Sequence, residues 1–139
     1  MKNKDNRFLL YKGKYHYLSA PEMRLFRKLE ELVKDKYEGK YYIVPQVNLG
    51  SLLYLVNMKN RSFWWYLWNR VSRKTLDFGL FTKEDFKIKL AIELLDHTHG
   101  IEGRTRRDKF VDKVLEKSNI NVLWVEKDLS NLEDIKKHL

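Results

Sequence analysis

With 139 residues, 43% of them apolar, and no cysteine, the chain has material for one hydrophobic core and none for disulfides, thiolate zinc sites or a thiol nucleophile. Any metal must be held by oxygen or imidazole. A formal charge of +9 favours a polyanionic partner, and no apolar run approaches the roughly 20 residues that span a membrane.

The N-terminus MKNKDNRFLL lacks the apolar stretch and cleavage site of a signal peptide, so a cytoplasmic protein with no membrane partner is expected. Residues 1–17 read as an N-terminal extension, in which 7–11 and 14–18, separated by Lys12-Gly13, have the pattern of a short hairpin. Ser19 has the features of a helix N-cap, with Pro21 near the first helical position and Glu22 at capping-box spacing. Met23, Phe26, Leu29, Leu32 and Val33 then recur at helical spacing to about Tyr37, and Gly39 stops the helix. Residues 41–47 (YYIVPQV) read as a strand in which Pro45 marks an edge or a bulge, and 49–56 as a short helix. The segment 57–73, containing FWWYLW, fits a helical turn, a strand or a loop equally well.

Residues 75–81 (TLDFGLF) and 88–95 (IKLAIELL) read as two strands joined by the turn TKEDFK. Each apolar run carries one acid, Asp77 and Glu93. An antiparallel hairpin brings two such carboxylates close together, and one or two protein carboxylates are what Mg²⁺ asks of a site. The alternative is structural: acids on a solvent face, or paired with Arg70, Arg73 or Lys74. Residues 100–103 read as a flexible connection and 104–118 as a helix, with the apolar stripe Phe110, Val111, Val114 and Leu115 and a basic first turn of Arg104, Arg106 and Arg107. A strand over 121–125 and a helix NLEDIKKHL capped by Ser130 complete the chain. The order predicts one α/β domain over residues 1–139, a mixed central sheet flanked by helices.

Charge is unevenly placed. From residue 39 to 76 there is no Asp or Glu, while Arg61, Arg70, Arg73 and Lys74 fall there among Tyr41, Tyr42, Tyr54, Phe63, Trp64, Trp65, Tyr66 and Trp68. Cations that neutralise phosphate, interleaved with rings that stack on bases, are a nucleic-acid footprint, although large rings also supply core area. DNA is the expected partner and RNA the alternative, with Arg104, Arg106 and Arg107 as further phosphate contacts. His97 and His99 lie beside Asp96, but only His16 and His138 remain elsewhere, too few for a multi-histidine zinc cage.

The succession SAPEMRLFRKLEEL, YIVPQVNL, NRVSRKTLDFGL, LAIELLDHTHG and RRDKFVDKVLEKSNINVLWV, covering residues 18–125, resembles an uncharacterised bacterial domain family. That family lies in the restriction-endonuclease-like PD-(D/E)xK superfamily, near the very-short-patch-repair endonucleases. The resemblance implies an α-β-β-β-α-β core and magnesium- or manganese-assisted phosphodiester hydrolysis. Asp77 resembles the metal-binding Asp of the PD motif and Glu93 the acid of (D/E)xK. Glu22 resembles a helical Glu that joins the site in many relatives, Gln46 sits where a related branch has a polar residue, and His99 matches a histidine usual after this strand, suited to binding metal or moving a proton. The motif's lysine falls at position 95, which is Leu95 here, so Lys89, Lys109 and Lys113 become candidates for a displaced cation. The expectation is an endonuclease-like phosphodiesterase acting on DNA. The alternatives are a catalytically inactive nucleic-acid-binding module and a regulator that binds protein through FWWYLW.

Overall fold

The capping box predicted at Ser19 is what starts the first helix, α1 (Ala20–Tyr37). Ser19 Oγ accepts from the Glu22 amide at 3.3 Å and Glu22 Oε2 accepts from the Ser19 amide at 3.1 Å, so two of the orphan N–H groups of the first turn are satisfied. Gly39, at φ +76°, makes the left-handed turn that ends the helix and delivers the chain into β1. The computed structural model describes residues 4–95 and 101–139, with side chains described for 6–95 and 109–139.

Four strands form one mixed sheet in the order β1 (Tyr41–Asn48), β2 (Thr75–Thr82), β3 (Ile88–Leu94), β4 (Val122–Val125). β1–β2 and β2–β3 are antiparallel, and β3–β4 is parallel. Pro45 is tolerated because β1 is an edge strand. A parallel step needs a long crossover, which α3 (Ile101–Lys117) supplies between β3 and β4, while α2 (Arg61–Val71) is inserted between β1 and β2.

Both faces of the sheet are covered. On one, Leu25, Leu29 and Val33 of α1 pack on Phe78, Leu80, Leu90 and Ile92, joined by Leu132 and Ile135 from the C-terminus. On the other, Val47, Leu49, Leu76, Phe81 and Ala91 pack with Leu115 of α3. Alternation breaks at one place on β2. Leu76 and Phe78 are two residues apart on β2 yet belong to opposite layers, so the strand turns over at Asp77. Directly across, Gln46 lies between the ladder pairs Pro45↔Phe78 and Val47↔Leu76 at φ +54°, a left-handed conformation rare inside a strand.

Several sequence expectations need correction. The N-terminal hairpin is a 3-10 helix over Lys4–Leu10 followed by irregular chain, and Tyr15 is 94% exposed; a two-stranded ribbon with nothing to bury a face against has little to hold it. The helix expected over 49–56 is one 3-10 turn, Leu49–Ser51, because the chain is pulled onto the start of β2: the Leu49 amide donates to Lys74 O at 2.8 Å. The undecided 57–73 segment contains α2, capped by Asn60, whose Oδ1 accepts from the Phe63 amide at 3.0 Å. The expected connection at 100–103 is helical from Ile101. The last helix is 3-10, Leu132–Lys137, and Ser130 does not cap it; Asn131 instead ties the preceding loop to β4. No helix among the described residues is long and apolar enough to cross a membrane.

Candidate active site

Asp77 and Glu93 lie one position beyond the last ladder pair of β2 and β3, Phe78↔Ile92, where the backbones begin to part. Their side chains take over the pairing there. The Asp77 amide donates to Glu93 Oε1 at 3.2 Å, and the Leu94 amide donates to Asp77 Oδ2 at 2.8 Å. The hairpin expected from sequence therefore does bring the two acids together, half-buried and aimed by backbone donors. A carboxylate has about four lone-pair sites, so one N–H bond sets its direction without excluding a cation.

Glu22 joins them from the first turn of α1. Its Oε2 accepts from the Ser19 amide and, at 3.3 Å, from Gln46 Nε2, while its Oε1 has no hydrogen-bond partner among the described residues. Cap and site member are thus the same carboxylate. Gln46 reaches it from the strained position opposite Asp77, and a left-handed non-glycine residue costs about 1–3 kcal/mol. At this turnover of β1–β2, Gln46 bonds Glu22 at the start of α1 and Asp77 lines the cavity that Glu22 shares.

The result is a cavity of about 200 Å³ lined by Ser19, Pro21, Glu22, Asp77, Glu93, Leu94, Leu95 and Lys127. All the lining oxygen donors are hard, the kind that Mg²⁺ or Mn²⁺ accepts. Among the described residues, no three acid or imidazole groups already stand together as a metal cage. Leu95 is at the wall, as its sequence position predicts, and carries no charge.

Lys127 is the residue that sequence reasoning missed. It follows β4, which lies beside β3, with the Leu95 amide donating to Val125 O at 2.8 Å. The three lysines singled out instead do not line the cavity. Lys89 is the bulged residue of β3, between the pairs Leu80↔Leu90 and Phe81↔Ile88, so the strand face it was expected to share with Glu93 is interrupted. Lys109 and Lys113 are exposed on α3.

The loop that bears Lys127 is closely tied. Asn131 Oδ1 accepts from the Glu126 amide and Asn131 Nδ2 donates to Trp124 O, both at 2.8 Å. Asp128 Oδ1 accepts from the Ser130 amide at 2.9 Å, and hydrogen bonds from Ser130's amide and hydroxyl hold the Asp128 carboxyl below its usual range. Leu129 at φ +62° completes the turn.

His99 lies outside the described residues, as do the side chains of Arg104, Arg106 and Arg107. Of the other cations expected to meet nucleic acid, Arg61 opens α2, Arg70 is in its last turn, and Arg73 and Lys74 connect it to β2. Arg73 and Lys74 precede Asp77 by four and three residues, which puts them within about 10–13 Å of it along an extended chain. Arg70 is engaged within the fold: its guanidinium sits 3.6 Å from the centre of the Phe110 ring, joining α2 to α3. The rings of FWWYLW divide by helical spacing. Trp64, Leu67, Trp68 and Val71 turn inward, with Trp64 Nε1 donating to Leu55 O at 3.3 Å, whereas Phe63, Trp65 and Tyr66 are 49%, 52% and 56% exposed.

Fold and pocket together define a mixed α/β domain with an acidic cleft where the two central strands part beneath the start of a helix. The chain belongs to the DUF2726 family, described as a protein of unknown function, whose model matches residues 15–139. No curated protein and no solved structure matches it.

Proposed function

We propose that this protein is a DNA-binding phosphodiesterase of restriction-endonuclease-like fold, dependent on Mg²⁺ or Mn²⁺. The observation that carries the reading is the convergence of Glu22, Asp77 and Glu93 on one cavity from α1, β2 and β3. Each acid also has a local structural contact, but gathering three like charges in one cleft is electrostatically costly, and a bound cation offsets that cost. The order α1-β1-β2-β3-α3-β4, with α2 as an insertion, also agrees with the α-β-β-β-α-β core of the PD-(D/E)xK superfamily.

The residues present suit a hard divalent cation. Asp77 and Glu93 would hold it and Glu22, through Oε1, would orient water. When bound, the ion supplies charge neutralisation at the phosphoryl group and a lowered pKa for a coordinated water. The protein's own contribution is to aim these carboxylates through backbone N–H groups and to line one side of the cleft with Leu94 and Leu95. DNA is delivered by the acid-free segment before β2, where Arg61, Arg73 and Lys74 meet phosphate and the outward rings of α2 offer stacking faces.

The test is cleavage of plasmid or branched DNA with Mg²⁺ or Mn²⁺ by the wild type, Asp77→Asn and Glu93→Gln. Metal-dependent products lost in both variants support the reading. A non-catalytic nucleic-acid-binding module is the second reading, favoured by the absence of a lysine at Leu95. It predicts salt-dependent DNA binding without cleavage, unchanged in the two variants.

A further inference from the structure

Leu95 leaves the site without a cation at the strand position where one is expected, and Lys127 is the one described lysine or arginine that lines the cavity with Glu22, Asp77 and Glu93. We propose that Lys127 is the cation of this site, presented by the neighbouring strand's exit loop in place of Leu95. The inference rests on the phosphodiesterase reading above and deepens it.

Three observations carry it. The first is proximity by topology: β4 runs parallel to β3, and Leu94 pairs with Val125, so the residues just past Val125 emerge beside the end of the acid-bearing strand. The second is support. Asn131 and Asp128 bond the backbone on both sides of Lys127, and a loop fixed in this way can place a side chain reproducibly. The third is that Lys127 makes no ion pair with any described residue, unlike Lys28, Lys87, Lys136 and Lys137, each of which has a carboxylate within its own helix or turn. Lys127 is exposed at the cavity wall, so its ammonium is open to an incoming anion.

A single ammonium beside three carboxylates does two things. Without bound metal it offsets their mutual repulsion. With a phosphodiester in the cleft it meets a non-bridging phosphoryl oxygen, on which negative charge grows as the water oxygen bonds to phosphorus and the bond from phosphorus to the leaving oxygen breaks. The water's proton leaves to solvent and the departing alkoxide takes one up. Lys127 acts through its charge.

The experiment compares wild type, Lys127→Ala and Lys127→Arg in single-turnover cleavage of plasmid DNA, with Mn²⁺ affinity measured in parallel without DNA. Lys127→Ala is expected to slow cleavage by about 100-fold or more, the usual effect of deleting one charge-stabilising group, and Lys127→Arg to restore most of the rate. Mn²⁺ affinity of Lys127→Ala, shown to be folded by a cooperative thermal melt, should rise several-fold, because a competing cation has gone. Wild-type cleavage by Lys127→Ala, or Mn²⁺ affinity that is unchanged or weaker in that variant, overturns the assignment. A wild type that binds Mn²⁺ and cleaves nothing is a different pattern: there the phosphodiesterase reading fails first, and this inference falls with it.

Discussion

Gln46 is the residue where cost and purpose can be separated. Its φ of +54° is paid for in strain, while its amide donates to Glu22 Oε2 at 3.3 Å. Glycine removes the strain and the amide together, although its greater freedom when unfolded offsets part of the gain, by about 0.5–1 kcal/mol. Gln46→Gly is therefore expected to melt at or slightly above the wild-type temperature while losing DNA cleavage. A clear loss of thermal stability would show that the amide contact holds the fold rather than the site. Asp77 calls for the opposite care. Its carboxylate accepts the Leu94 amide at 2.8 Å, so Asp77→Ala takes away a half-buried acceptor, at about 1–3 kcal/mol, whereas Asp77→Asn keeps an acceptor oxygen. Chemical denaturation should show the alanine variant markedly less stable than the asparagine one, and equal stabilities would mean that this hydrogen bond contributes little.

Among the elements, what could be foreseen divides by how local its cause is. α1 was legible from Ser19 to Gly39 because the cap, the stripe and the stop are all near neighbours in sequence. The acid-bearing hairpin was legible for the same reason, its two apolar runs flanking one short turn. The 3-10 turn at Leu49–Ser51 was not, since it is set by distant partners: a Cβ on Gly50 would lie 2.8 Å from Ser72 O, so the turn packs backbone to backbone against the end of α2. Gly50→Ala should accordingly destabilise the protein by about 1–3 kcal/mol, because the obstructing atom belongs to the main chain, and a neutral result by denaturant melt would contradict the close packing. Lys127 was invisible for a related reason. Nothing near it in the sequence is acidic chemistry of the site, and only the parallel pairing of β3 with β4 brings it there. Lys89 shows the converse: it looked suitable by alternation, and a bulge removed it from the face it was expected to share.

For the whole molecule, a net charge of +9, with six cations and no acid between residues 39 and 76, predicts binding to DNA that weakens steeply with salt. Each phosphate contact contributes about 0.9 to the slope of log K against log salt, so Arg73→Ala should reduce that slope by about one, and a slope unaffected by the change would remove Arg73 from the interface. Arg73 and Lys74 lead directly into β2, which carries Asp77 to the cleft. Whether that cleft holds a catalytic ion is the central point, and anomalous scattering from crystals soaked in Mn²⁺ tests it most directly. The account predicts a peak between the carboxylates of Asp77 and Glu93, within reach of Glu22 and absent in Asp77→Asn crystals. A cleft with no peak at saturating Mn²⁺, or a peak that persists without the Asp77 carboxylate, would contradict it.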